Sequence, residues 1–296
     1  MKKSLKFELL LLMVALIWGV GFPVTKIAVD LGFGPFAILA GRFVTACIII
    51  SIVFRNKVKL IDKRHVKYGI FTGVFLFSSF TFQTFGILYT TPSKNAFITQ
   101  MMVILVPFFY WFIYKRRPDK YAFIGASLAL IGGLVLTFNS DFTSAINKGD
   151  FLTFICAVLC AVHIIASTHY VKKDGIDSIA FTLVQFYLAA ILSSMIAIFN
   201  HEVPRVTLLQ WWPLLFMGVL NTGLGFTIQT FAHKYSTPTK TSVIVSTEAV
   251  FGSIASVLII NEAVTPQLLF GGFMIFIAVL TVETKWSFLI MKKRKF

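Results

Sequence analysis

The chain has 296 residues, of which 57% are hydrophobic and only 13% charged, and its mean hydropathy is +0.84. So few charges cannot cover that much apolar surface in water, which excludes a soluble domain. A formal net charge of +15 brings nucleic acid to mind as a partner, but the placement of the basic residues points elsewhere.

In chain order, charge-free runs fill residues 9–25, 68–93, 95–114, 121–140, 151–170, 178–200, 206–232 and 263–282. About 20 apolar residues cross a bilayer core as a helix, so each run suffices, with or without tilt. Two further spans carry one buried charge each: 33–54 with Arg42, and 238–260 with Glu248. The expectation is an all-α integral membrane protein of ten transmembrane helices. If the N-terminus is cytoplasmic, 22 Lys and Arg residues fall on the inner side, and only Lys94, Lys148 and Arg205 fall on the outer side. That asymmetry is the positive-inside pattern; it places both termini in the cytoplasm and the chain in the cytoplasmic membrane as a multi-pass protein. The basic loops then meet anionic lipid, and nucleic acid is not a partner. A cleaved signal peptide behind Lys2 and Lys3 is the weaker reading, since the first apolar run continues to Lys26. Cys47, Cys156 and Cys160 all fall inside spans and read as packing residues; no spacing implies a metal.

Residues 83–94 read QTFGILYTTPSK and residues 229–240 read QTFAHKYSTPTK, matching at seven of twelve positions at a spacing of 146. The spacing continues through Gly125 and Gly271. Five spans per half is an odd number, so the second half enters the membrane upside down. The expected organisation is therefore two inverted five-helix repeats, residues 1–140 and 149–296, an arrangement most often found in secondary transporters. In each Thr-Pro, Thr91 or Thr237 can cap a helix whose first turn accepts Pro92 or Pro238.

Further signatures are Trp18-Gly19 with Phe22, Arg42, Gly149-Asp150, Thr-Pro-x-Lys at both repeat positions, Glu248-Ala249-Val250-Phe251 and Asn261-Glu262. In that order across ten spans they resemble the drug/metabolite transporter superfamily, EamA type, over essentially the whole chain. Two departures stand out: Lys115-Arg116-Arg117 where the first half of that family usually has Gly-Glu, and Ala249 where a proline is common. The resemblance implies transport of a small metabolite, with a cavity lined by the first, third, fourth, sixth, eighth and ninth helices.

Among the polar residues at membrane depth, Glu248 is foremost. At roughly 1.5 Å per residue it lies near the midplane, and it is the one acidic residue of twelve placed deep in a span. Its counterpart at the repeat spacing is Met102, so the symmetry breaks at a charge. Two readings stand: proton coupling or binding of a substrate amine, and a structural ion pair with Arg42. Thr241, Gly252 and Ser256 share its face, a small polar stripe suited to a cavity wall. Asn221, Gly225, Gln229 and His233 share another face. Gln83 and Gln229 read as gate or helix-bridging amides at opposite depths, with direct substrate contact as the alternative. His163 reads as packing or as a relay, and Trp18 as core or as a stacking surface. Gly125, Ala129 and Gly133 form a small-residue face for close packing between halves or in a homodimer. The 33 phenylalanines read mainly as lipid-facing bulk.

The expected activity is alternating-access transport, with export of amino acids or related small solutes preferred and proton coupling open. An importer or a multidrug exporter of the same family, and a channel or non-transporting scaffold, are the alternatives. Enzyme chemistry lacks its motifs: no His-Glu-x-x-His, no clustered aspartates, no nucleophile elbow. No Walker loop is present, and no cofactor or metal is called for.

Overall fold

A computed structural model of the chain describes residues 3–115, 117, 119–137, 147–204, 207–236, 238–245 and 247–286. Lys2, Arg116, Arg205, Thr237 and the basic residues at 292–295 lie outside the described residues, as do the side chains of Ala129, Gly133 and Lys240.

The described residues form helices and no strands. They are α1 (Lys3–Asp30), α2 (Pro35–Val53), the short α3 (Arg55–Val58), α4 (Lys63–Ile87), α5 (Pro92–Thr99), α6 (Met102–Tyr114) and α7 (Lys120–Thr137). Then come α8 (Lys148–Val171), α9 (Ser178–Phe199), a 3-10 turn (Leu208–Trp211), α10 (Trp212–Phe216), a π-helical segment (Met217–Phe226), α11 (Thr227–His233), α12 (Pro238–Val245), α13 (Glu248–Ile260) and α14 (Pro266–Thr284). Among the described residues seven stretches are long and apolar enough to cross a membrane: Leu9–Asp30, Pro35–Val53, Lys63–Ile87, Pro92–Tyr114, Lys148–Val171, Ser178–Phe199 and Leu208–His233. The other three expected spans hold shorter apolar helices, Lys120–Gly132, Glu248–Ile260 and Pro266–Ala278. Helices are the natural outcome here, because a spanning segment must satisfy its own backbone polar groups.

Two expected single spans are each built from two helices. The first is interrupted at Gln100 and Met101, and the second, within the described residues, at Thr247. Both boundaries of α6 recur in α13 at the spacing of 146. The helices end alike too: Lys115 and Asn261, again 146 apart, both adopt left-handed backbone, with φ of 57° and 54°. Glycine or asparagine suits that position best, so Asn261 fits it and Lys115 meets it with a less suitable residue.

Several starts are capped by side chains. Thr91 accepts from Lys94 N ahead of Pro92 as expected, Asn147 caps α8, and Thr265 caps α14. At one end of the bundle Asp62 caps α4 and Asp177 caps α9, and His65 joins them: Nδ1 meets Asp62 Oδ1 at 2.7 Å while Nε2 accepts from Asp177 N at 3.0 Å. Hydrogen bonds from His65 hold the Asp62 carboxyl below its ordinary value. Burial pushes the Asp177 carboxyl up, but Lys57 and the first backbone N–H groups of α9 outweigh it and leave it lowered. At the other end Glu202 accepts from Phe36 N and Ala37 N, and Glu262 accepts from Ser93 N and Oγ.

The principal helix contacts run between the first half and the second. α7 lies along α14, α4 along α8 and α9, α2 along α9 and the π-helical segment, and α1 along α13. Gly132 on α7 sits against the Gly271 backbone of α14, where a Cβ would come within 2.8 Å of its carbonyl oxygen. Gly19 on α1 approaches α13 so closely that a Cβ would lie 2.7 Å from Gly252 N. Several phenylalanines are exposed, Phe112, Phe151 and Phe199 among them, while others lie inside. Phe43, Phe80, Phe186 and Phe226 pack together inside the bundle with ring centroids 5.5–6.3 Å apart, because the interior of a membrane bundle is as apolar as its surroundings.

Candidate functional site

The helix breaks meet at the centre of the bundle. Glu248 is the first residue of α13, the end of a helix whose dipole favours negative charge. The Gln100 side chain, in the break between α5 and α6, donates Nε2 to Glu248 Oε1 at 2.5 Å. Both groups are buried, and Gln100 Oε1 has no partner.

Beside this contact opens a cavity of about 710 Å³ including its mouth. Trp18, Arg42, Gln83, His163, Asn221, Gln229 and Glu248 all border it. Its walls come from α1, α2, α4, α5, α6, α8, the π-helical segment, α11 and α13. These are the six spans the resemblance implied, with α2 added through Arg42.

Each side chain is held by a traceable contact. Trp18 donates its indole Nε1 to the Asn221 carbonyl oxygen at 2.7 Å, and Asn221 Nδ2 returns a bond to Ile17 O at 2.9 Å. The wider turn of a π-helix disturbs the regular i to i−4 ladder, and such segments recur at functional sites. Asn221 Oδ1 and Gln229 Oε1 are buried without partners. His163 Nε2 meets Gln185 Oε1 at 2.8 Å and Ser167 Oγ at 3.1 Å. His233, away from the cavity wall, meets Thr168 Oγ1 at 3.0 Å through Nδ1. Cys156 and Cys160 lie on the wall with sulfurs 3.8 Å apart.

The structure revises two expectations. Arg42 and Glu248 do not form an ion pair: Arg42 Nε donates to Thr222 Oγ1 at 2.9 Å and its guanidinium stacks over Phe80 at 4.2 Å, while Glu248 takes Gln100. Gly252 is not on the cavity wall. It packs against Phe22 and Gly19 of α1, because α13 turns that face to the α1 contact; Thr241 and Ser256 are buried off the wall as well. Gln83 and Gln229 both border the cavity, and Gln83 Nε2 reaches Thr99 Oγ1 at 3.4 Å.

Gln100, Thr222 and Gln185 were not singled out from the sequence. Gln100 was the most accessible of them, as an amide in the middle of an apolar run two residues before the Glu248 counterpart.

The profile of the EamA-like transporter family matches the chain twice, at residues 5–138 and 147–284. An uncharacterized transporter of Archaeoglobus fulgidus is 34% identical over 96% of this chain and 87% of its own length. The uncharacterized transporter YyaM of Bacillus subtilis is 26% identical over 76% of each chain. A solved crystal structure at 18% identity shares the fold with a TM-score of 0.71, covering 98% of this chain and 99% of its own. With its apolar spans and a cavity bordered by several polar side chains, this chain is a multi-pass membrane protein that belongs to the EamA-like transporter family.

Proposed function

We propose that this transporter exports amino acids or closely related small solutes across the cytoplasmic membrane by alternating access, as ten spans in two inverted repeats with both termini inside. The observation that carries the reading is Glu248 on the wall of a cavity formed where two broken helices meet. Discontinuous helices near the midplane, with free backbone groups facing a binding space, are a recurring way to hold a small polar solute in a bilayer. Glu248 serves the cycle by taking up a proton or a substrate ammonium, exchanging its bond with Gln100 for the incoming group.

The charged and titratable groups sharing that cavity are Arg42, Cys156, Cys160 and His163, and none is a second carboxyl. Because the main contacts cross between halves, the moving bodies are mixed sets of helices drawn from both repeats, not the repeats themselves.

The test compares solutes released by cells making the wild-type protein, Glu248→Gln or neither, at matched abundance. A solute enriched by the wild-type protein alone, with release dependent on pH, supports the reading. Equal enrichment by Glu248→Gln removes Glu248 from the mechanism, and no enrichment removes the exporter reading.

A further inference from the structure

Arg42 is a buried cation with no anion beside it. It is 5% exposed, and a guanidinium stays charged in any protein environment. At membrane depth such a group normally faces a partner or a water-filled space. Among the described residues its one side-chain hydrogen bond runs from Nε to Thr222 Oγ1, and its face lies on Phe80. Thr222 belongs to the π-helical segment and Phe80 to α4, so two walls of the cavity fix the plane of the guanidinium. Among the described residues no protein acceptor meets either terminal nitrogen, and Arg42 borders the cavity. A guanidinium held by its Nε edge and its face presents its remaining fork edge, whose geometry matches a carboxylate. Glu248 is the one acidic residue on the same wall.

We infer that Arg42 is the anion-binding pole of the cavity, receiving a solute carboxylate on its two terminal nitrogens. This rests on the cavity being the transport site. With Glu248 holding the ammonium, the occupant is a zwitterion whose acid and amine ends are read by different walls. Arg42 is thus a specificity-determining residue, where the sequence offered only a structural ion pair.

Two arms test the inference on the full-length protein in vesicles free of anionic lipid, so that a lipid headgroup cannot supply the anion. The first needs no knowledge of the substrate. Cys160 borders the same cavity, and mass spectrometry follows its modification by a sulfonate-bearing and a trimethylammonium-bearing methanethiosulfonate. Each rate is divided by that of the same reagent with a free thiol, and the ratio of the two cancels the reactivity of Cys160 itself. Arg42→Gln should lower the sulfonate preference by roughly tenfold or more, as loss of a charge-assisted hydrogen-bonded contact requires, and Arg42→Lys should retain part of it. An unchanged ratio overturns the inference.

The second arm compares uptake of L-leucine and L-leucinamide. The wild-type protein should prefer the acid, and Arg42→Gln should abolish the preference while still moving the amide, which also shows that the variant is folded. Equal uptake of acid and amide by the wild-type protein, or a parallel loss of both in Arg42→Gln, overturns the inference. If the wild-type protein moves neither, the amino-acid reading falls, and the first arm still decides the role of Arg42.

Discussion

The two helix breaks share their geometry and differ in their chemistry. α6 and α13 start at the same repeat position, and both end in left-handed backbone. Yet the first break opens α6 with Met102, whereas the second opens α13 with Glu248. The first contributes an amide, Gln100, that reaches across to the carboxyl of the second. The duplicated architecture therefore supplies the opening in the helix twice, while the charge that gives the opening a task sits on one side only. The helix before each break diverges further: α4 is regular over Lys63–Ile87, but the corresponding stretch passes through 3-10, α, π and α turns. The regular element gives a firm wall, and the irregular one carries Asn221 and Phe226 into the cavity.

The largest expected effect tests the difference in charge. Glu248→Gln should lower solute flux in proteoliposomes by roughly a hundredfold, as loss of an essential proton or amine acceptor does, while Gln100→Ala should retain measurable flux. Equal losses would mean that the contact, not the carboxyl, is what matters. Next in size, Gly19→Val would drive a side chain into the α13 backbone and should cost about 1–3 kcal/mol, read as a lower melting temperature in detergent. No counterpart is expected for α6, which packs on α8 and α12 instead.

A smaller effect concerns the capped end. Asp177→Asn keeps a capping oxygen but loses the Lys57 pair, so it should cost about 0.5–1 kcal/mol. Because the folded carboxyl is lowered, the wild-type advantage should be complete above the ordinary carboxylate value and fade as pH falls through the folded one. Smallest, Lys115→Gly should stabilise by about 0.5–1 kcal/mol, since left-handed backbone suits glycine. Asn261→Gly should change melting less, because asparagine already tolerates that conformation. Equal gains would mean that the two helix ends are conformationally alike.

The apolar runs made the helices legible, and the Thr-Pro start at Thr91 came with its capping mechanism. Glu248 was legible as the charge at which the repeat symmetry fails, and six of the other residues expected at the site do border the cavity. The breaks were not legible. Neither contains a proline or glycine, and a break inside a uniformly apolar run leaves no trace in hydrophobic periodicity. The partners of Glu248 and Arg42 were hidden for another reason: Gln100 lies 148 residues from Glu248, and Thr222 lies 180 from Arg42. Contacts at such separations depend on how helices pack, and local sequence carries no record of that.

The crossing of contacts between halves also bears on how the protein is made. Trp18 finds its acceptor 203 residues downstream, and α1 as a whole lies against α13, near the far end of the chain. During synthesis the early helices enter the bilayer long before their partners exist, with Arg42 already inside. Assembly is thus largely postponed until the last helices arrive, and the newborn first half passes through a period of unpaired polar groups in lipid. Chain truncation or slowed synthesis after α8 would lengthen that interval, and quality-control proteases would meet the protein there first.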